Sequence, residues 1–553
     1  MPGKKTRRNG QAERQAQMQK PFISSALLPY LILAAIFVLF SYIRIRLASF
    51  PLERDEGEYA YFGQLILHGI PPYQLAYNLK LPGTYAAYAL IMALFGQTMQ
   101  GIRFGLLLFN LGSLVFIFLI MKRLFSAFSA LVAVAVASIL FISLDLQGQA
   151  AHATHFVTFF MLAGAWLLLT AIETPRRRFF LLSGVLMGLA FLMKQSGIFF
   201  PIFGGVMILV YGLLQAEKNW AKVRMRLIPY AVGAVFPLLL TFLILFLAGV
   251  FHRFWFWTFV YPKVYGSAVP LSAVWGTFMR DFPPVTETFR ASWILAALGF
   301  ASLFFYRGKL TERIFLGFLL IFSFLNAVPG FYFRPHYFLP MVPAVGMLAG
   351  FFIEFLHQWI LGKFRHRAYV TGIGFLVLVI PVLNGQKDYY FHVNPVDLCR
   401  AVYGGNYFAE AVPVADYIRA NTKEDDRILV FGSEPEIYFY ADRKSATGYV
   451  YMYDLTFPHP YRKAMQKEMM NEVEAVKPKF IVVVACDYSW RAVGDGSDVL
   501  FTWIDSYAKQ NKYLPAGLVE YHYPEPSDFS WGNDALTHKP KTQNYMVILK
   551  RQE

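Results

Sequence analysis

Long apolar runs alternate with short polar breaks as far as about residue 385, where the period of the pattern changes. A helix crossing the hydrocarbon core of a bilayer needs roughly 20 mostly apolar residues. Runs of this kind stand at 26–44, 103–121, 127–144, 155–172, 179–193, 197–214, 227–250, 291–306, 313–330, 338–357 and 368–385. They predict about 11 spans, with 13 as the rival count. The apolar stretch 81–96 is short and contains Pro82 and Gly83. It is therefore expected to be a juxtamembrane or re-entrant helix and not a further span.

After residue 386 short strands alternate with amphipathic helices, with helices expected over 412–421 and 500–511 and strands over 427–431, 479–485 and 544–549. The chain thus reads as a polytopic α-helical membrane protein with a C-terminal α/β domain. Its expected parts are a basic tail over 1–25, a membrane domain over 26–385 with a first outer loop at 45–102, and a soluble domain over 386–553.

Charge decides which loops share a side. Basic residues gather in the tail (Lys4, Lys5, Arg7, Arg8), at Lys122–Arg123, at Arg176–Arg178, and in 218–226, 307–313 and 363–367, which is every second loop when 81–96 does not cross. The positive-inside tendency places these in the cytoplasm. The segments 45–102, 145–154, 251–290 and 332–337 then lie outside with the soluble domain. A bacterial inner membrane with the active site and this domain facing the periplasm is the expected location.

Composition agrees with lipid contact throughout, with 56% hydrophobic and 18% aromatic residues. A net charge of +16 raises the question of nucleic acid, but its placement beside apolar runs gives nucleic-acid binding no support. The two cysteines, Cys399 and Cys486, exclude a Cys-rich zinc module and a disulfide-dense scaffold, and spacing alone leaves their pairing open. No small-residue cleavage site follows the first apolar run, so the first span is expected to stay uncleaved.

The strongest chemical signal is Glu53-Arg54-Asp55-Glu56-Gly57-Glu58-Tyr59-Ala60-Tyr61, just beyond the first span. Such an acidic cluster at a membrane surface needs solvent, a metal or a cationic partner. With Asp55-Glu56 in its first outer loop, the sequence resembles the protein-O-mannosyltransferase and aminoarabinose-transferase branch of the GT-C superfamily, over about residues 27–385. The resemblance implies a catalytic role for Asp55 and Glu56, with Asp55 as base or acceptor-positioning residue.

In Tyr77-Asn78-Leu79-Lys80-Leu81-Pro82-Gly83-Thr84-Tyr85, Lys80 takes the place of the family lysine that holds the donor phosphate. Leu79 stands where the aminoarabinose transferases have an acidic residue implicated in metal binding, so no metal ligand is assigned and the metal requirement stays open. Phe331-Tyr332-Phe333-Arg334-Pro335-His336-Tyr337-Phe338-Leu339-Pro340 resembles the segment with which family members enter a late span. Arg334 and His336 suit a phosphate there.

Lys194 ends an apolar helix on the expected outer side, against the charge rule, and is a further phosphate candidate. Tyr59, Tyr85, Gln149, His152 and Tyr337 are expected to touch substrate, while His152 and His155 alone make a weak metal site. Phe254-Trp255-Phe256-Trp257 suits an interface belt, and Phe431-Gly432-Ser433-Glu434-Pro435-Glu436, which lacks dinucleotide glycine spacing, reads as a turn.

The expected activity is transfer of a sugar, with inversion, from a polyprenyl-phosphate-linked donor to a protein, lipid or glycan acceptor on the outer face. A transporter, flippase or ligase of lipid-linked glycans is the alternative. No inverted repeat or mid-bilayer polar run favours transport.

Overall fold

The computed structural model describes residues 27–214, 219–266, 269–357, 380–490 and 498–552. The basic tail over 1–25, the loop 363–367 and most of the run 368–385 lie outside the described residues.

The membrane half is helical. Its elements are α1 (Leu28–Arg46), α2 (Arg54–Leu67), α3 (Gly83–Phe95), α4 (Met99–Leu124), α5 (Ala127–Phe141), α6 (Ala153–Glu173), α7 (Arg177–Met193), α8 (Phe199–Leu214), α9 (Trp220–Leu247), α10 (Val274–Thr286), α11 (Arg290–Ser302), α12 (Leu310–Ala327) and α13 (Val342–Phe355). Among the described residues, 7 helices are long and apolar enough to cross a membrane. The expected non-spanning stretch is α3, whose 13 residues reach about 20 Å against a hydrocarbon core of about 30 Å.

Local chemistry starts these helices where the sequence breaks. Thr98 caps α4 by accepting from the Gly101 N–H at 3.0 Å, and Ser126 and Ser129 form a capping box at the head of α5. Among the seven candidate spans the most buried are α6 and the segment Pro335–Phe355 that contains α13, at 72% and 89%, so the spans pack around these two. The pairs α7·α9, α6·α7, α5·α13 and α11·α13 make its principal interfaces. Where α1 ends, Arg46 donates to the Tyr390 and Val393 carbonyls at 2.6 Å and also to the Tyr389 carbonyl, tying the first span to the chain entering the soluble domain.

The soluble domain carries a six-stranded mixed sheet in the order β2-β1-β3-β6-β4-β5. Its strands are β1 (Arg427–Phe431), β2 (Lys444–Ser445), β3 (Phe480–Ala485), β4 (Tyr513–Glu520), β5 (Asp528–Trp531) and β6 (Tyr545–Arg551). β1 runs parallel to β2 and β3, and the remaining pairs are antiparallel. The helices α14 (Ala411–Ala420), α15 (Arg462–Val476) and α16 (Asp498–Gln510) join this sheet. Cys399 and Cys486 are both buried and free.

The two halves meet on α2. Gly57 allows the approach, because a Cβ there would lie 2.5 Å from the Glu436 backbone nitrogen of the soluble domain. Arg54 reaches across to Glu434 at 3.1 Å, and also donates to the Ser433 carbonyl and to Asn406. The Phe431–Glu436 phrase is thus a turn that also grips the helix bearing Asp55.

Candidate active site between α2 and the soluble domain

The first turn of α2 is held by a reciprocal cap: Glu53 accepts from the Glu56 N–H at 3.0 Å, and Glu56 accepts from the Glu53 N–H at 3.3 Å. The carboxylates that follow project in different directions, because successive residues turn through about 100°. Glu56 is fully buried and turns away from solvent. Arg103 of α4 donates to both its oxygens, at 2.9 Å to Oε2, and the Ala151 N–H donates to Oε1. Glu56 therefore joins α2, α4 and the 145–152 loop.

Asp55 faces a cavity of about 130 Å³ lined also by Tyr59, Lys80, Lys194, Arg334, His336 and Tyr337. Lys80 donates to Asp55 Oδ1 at 3.1 Å and to Glu58 Oε2 at 2.6 Å. Its ammonium also lies 4.5 Å from the centre of the Tyr59 ring. Tyr85 stands behind this pair and donates to Glu58 Oε1 at 2.6 Å. Across the cavity the Lys194 ammonium sits 3.6 Å from the centre of the Tyr337 ring. The cations named from the sequence therefore share one cavity with Asp55, although they come from three stretches of the chain.

Titration follows from this packing. Burial raises the Asp55 carboxyl, but the positive charge around it, that of Lys80 foremost, together outweighs burial and holds it well below the usual carboxylate range. Burial pulls Lys80 down, and Asp55 and Glu58 more than restore it, so it stays charged. Burial pushes Glu58 up to about 7. Lys194 is pulled down to about 7, first by burial and then by the positive charge of Lys80 and Arg334. Burial likewise takes His152 down to about 4, so this imidazole is neutral.

Asp55, His152 and His336 each bring one ligand atom within 4.8 Å of the others. Both His152 ring nitrogens are buried with no hydrogen-bond partner among the described residues. The His336 Nδ1 bonds to Gln147 Oε1 at 3.0 Å; an amide oxygen only accepts, so Nδ1 carries the proton and Nε2 keeps its lone pair. The donor set, one carboxylate and two imidazoles, fits a divalent cation. The two rings are stacked at 3.9 Å and 15°. Parallel rings cannot both aim an in-plane lone pair at one ion between them, so binding an ion requires one ring to turn.

Gln149 is buried and does not line the cavity. Its backbone carbonyl accepts from Arg44 at 3.4 Å, and its side-chain amide has no partner among the described residues. His155 lies deeper and bonds through Nδ1 to the Asn110 amide at 3.1 Å, apart from His336 and Asp55. Sequence reasoning missed Tyr451, Tyr453 and Asp454 of the soluble domain, which also line the cavity. No local motif marks them, since they reach the site only through the docking of the two halves.

Beside the polar cavity opens an apolar one of about 780 Å³, lined by Ile66, Ile70, Leu90, Phe160, Leu192 and Ile244 among others. Met193 borders both cavities, and Pro82 and Gly83 of the larger one closely follow Lys80 in the chain.

Residues 80–246 match the family model for dolichyl-phosphate-mannose-protein mannosyltransferase. The structure of ArnT from Cupriavidus metallidurans bound to undecaprenyl phosphate superposes with a TM-score of 0.58 at 14% identity, covering 95% of this chain and 98% of that one. The chain has the GT-C fold. It resembles the branch of the GT-C superfamily that holds ArnT and the protein mannosyltransferases. AglB, the oligosaccharyltransferase of Archaeoglobus fulgidus, in complex with an inhibitory peptide and a dolichol-phosphate, is a more distant likeness of this chain. Its TM-score is 0.54 at 11% identity, over 92% of this chain and 75% of that one. Residues 408–495 match a second family model, the C-terminal domain of competence-induced protein Ccs4. No curated protein sequence matches the chain.

Proposed function

We propose that this GT-C protein transfers a sugar from a polyprenyl-phosphate-linked donor to a hydroxyl acceptor at the outer membrane surface, with inversion at the anomeric carbon. The observation that carries the reading is the meeting of Asp55 with Lys80, Lys194 and Arg334 in one cavity that borders a larger apolar one. The ArnT structure with undecaprenyl phosphate and the AglB structure with dolichol-phosphate support a lipid-linked donor.

The prenyl chain lies in the apolar cavity, which removes its surface from water. The phosphate then reaches the polar cavity, where Lys80, Arg334 and Lys194 neutralise it as the bond to the sugar breaks. Tyr59, Tyr337 and His336 line the same space and bound the sugar. The acceptor hydroxyl attacks the anomeric carbon, its proton passes to Asp55, and the lipid departs as polyprenyl phosphate. A carboxylate held well below its usual range is a weak base, yet it suffices because the phosphate leaves readily.

Asp55, His152 and His336 would hold a divalent cation, which when bound supplies positive charge near the leaving phosphate. Glu56 serves as the brace that fixes the turn carrying Asp55. Tyr85 and Glu58 keep the Lys80 ammonium aimed into the cavity.

Purified protein given a labelled undecaprenyl-phosphate sugar and a hydroxyl acceptor is expected to release undecaprenyl phosphate, and Asp55→Asn to abolish the release. A flippase would leave the donor intact under these conditions. Wild-type turnover in a folded Asp55→Asn protein would overturn the base assignment.

A further inference from the structure

The soluble domain touches Asp55 directly. Tyr451, 8% exposed, donates its hydroxyl to Asp55 Oδ1 at 2.8 Å, the oxygen that also takes the Lys80 bond. The Lys80 ammonium stands 5.8 Å from the centre of the Tyr451 ring and 4.5 Å from that of the Tyr59 ring. Lys80 is thus gripped by one aromatic ring from each half of the molecule.

The segment bearing Tyr451 is pinned from both ends. Thr447 Oγ1 donates to Glu472 Oε2 at 2.6 Å and the Gly448 N–H donates to the same oxygen at 3.0 Å. Tyr449 donates to Glu468 at 2.7 Å, and the Met452 N–H donates to Ser433 Oγ at 3.0 Å. The Gly448 carbonyl accepts from the Tyr77 N–H at 2.7 Å, at the start of the stretch that carries Lys80. A Cβ on Gly448 would lie 2.1 Å from the Tyr77 ring, so only glycine permits this approach. The Tyr451 hydroxyl is therefore delivered to Asp55 by a rigid segment and not by a wandering side chain.

We infer that Tyr451 is a positioning residue for transfer: with Lys80 it occupies Asp55 Oδ1, so that Oδ2 is the oxygen turned to the acceptor hydroxyl, and the soluble domain thereby completes the active site. The inference rests on the sugar-transfer reading. A hydrogen bond to an ionised carboxylate is among the stronger ones, and its loss frees the carboxylate to rotate.

The test uses the full-length protein in lipid nanodiscs with a panel of radiolabelled undecaprenyl-phosphate hexoses and pentoses and a hydroxyl acceptor, reading release of undecaprenyl phosphate. Tyr451→Phe keeps the ring against Lys80 and removes only the hydroxyl. It is expected to lower kcat about tenfold with the KM for donor changed less than about twofold. Its unfolding temperature should match wild type, and Tyr451→Leu, which also removes the ring, should raise the donor KM as well. Tyr451→Phe with wild-type kcat, beside an inactive Asp55→Asn, would overturn the inference and leave transfer standing. Release that survives Asp55→Asn, or a wild-type protein that releases nothing across the panel, would instead bring down the reading beneath it.

Discussion

Asp55 and Glu56 are neighbours in one turn of α2, each is matched by a cation, and they do different work. Glu56 is fully buried, with Arg103 at 4% exposure against it and a backbone N–H on the same oxygen. Asp55 keeps 22% of its side chain exposed and Lys80 keeps 20%, both at the wall of a cavity. A carboxylate whose oxygens are all engaged by fixed donors braces the structure. One that shares a single oxygen with its partners, beside open space, can take a proton. The pairing of opposite charges is common to both, and access is what separates bracing from chemistry.

The comparison breaks most sharply by exchanging the expected losses. Asp55→Asn should reduce turnover on the order of 1,000-fold while leaving the unfolding temperature in place. If that variant instead unfolds early, Asp55 is a brace as well. On the other side, Arg103→Met leaves Glu56 buried without its partner and should destabilise the protein by about 3 kcal/mol, read by thermal unfolding in detergent. An Arg103→Met protein as stable as wild type would remove the distinction drawn here.

A smaller effect concerns the cations. Lys194, held near pH 7 by burial and neighbouring charge, loses its proton as the pH rises past that value. A phosphate prefers the protonated form, so affinity for undecaprenyl phosphate should weaken up to about tenfold per pH unit above that point. Lys194→Arg, which stays charged, should flatten the slope. An affinity that is level from pH 6 to 9 in the wild-type protein would take Lys194 out of the phosphate site. The smallest change expected is at the grip on α2: Glu434→Gln weakens the bond from Arg54 and should cost about 1–2 kcal/mol of stability. Turnover at saturating donor should fall less than in Tyr451→Phe.

Much of the site could be named in advance for the same reason that its duties could not. Lys194 and Arg334 stand out because charge at the ends of apolar helices is costly, a rule that reads from local sequence, while Asp55 and Lys80 stand out through the motifs that carry the resemblance to the transferase branch. Whether a side chain then points into a cavity depends on its angle around the helix and on what packs there. Glu56 beside Asp55, and Gln149 beside His152, look equivalent along the chain. Their surroundings come from α4 and from the loop folded over them.

By itself the sequence determined that this chain lives in a membrane, located its long apolar helices to within several residues, though not the helix that carries Asp55, and marked cations at the ends of those apolar runs. Run length, capping residues and the alternation of loop charge carry that information locally. Only the tertiary structure decided that His152 stacks on His336, that Arg103 closes on Glu56, and that Tyr451 reaches Asp55 across 396 residues of chain. Those meetings depend on how two separately patterned halves dock, and no stretch of sequence short enough to read as a pattern contains both partners.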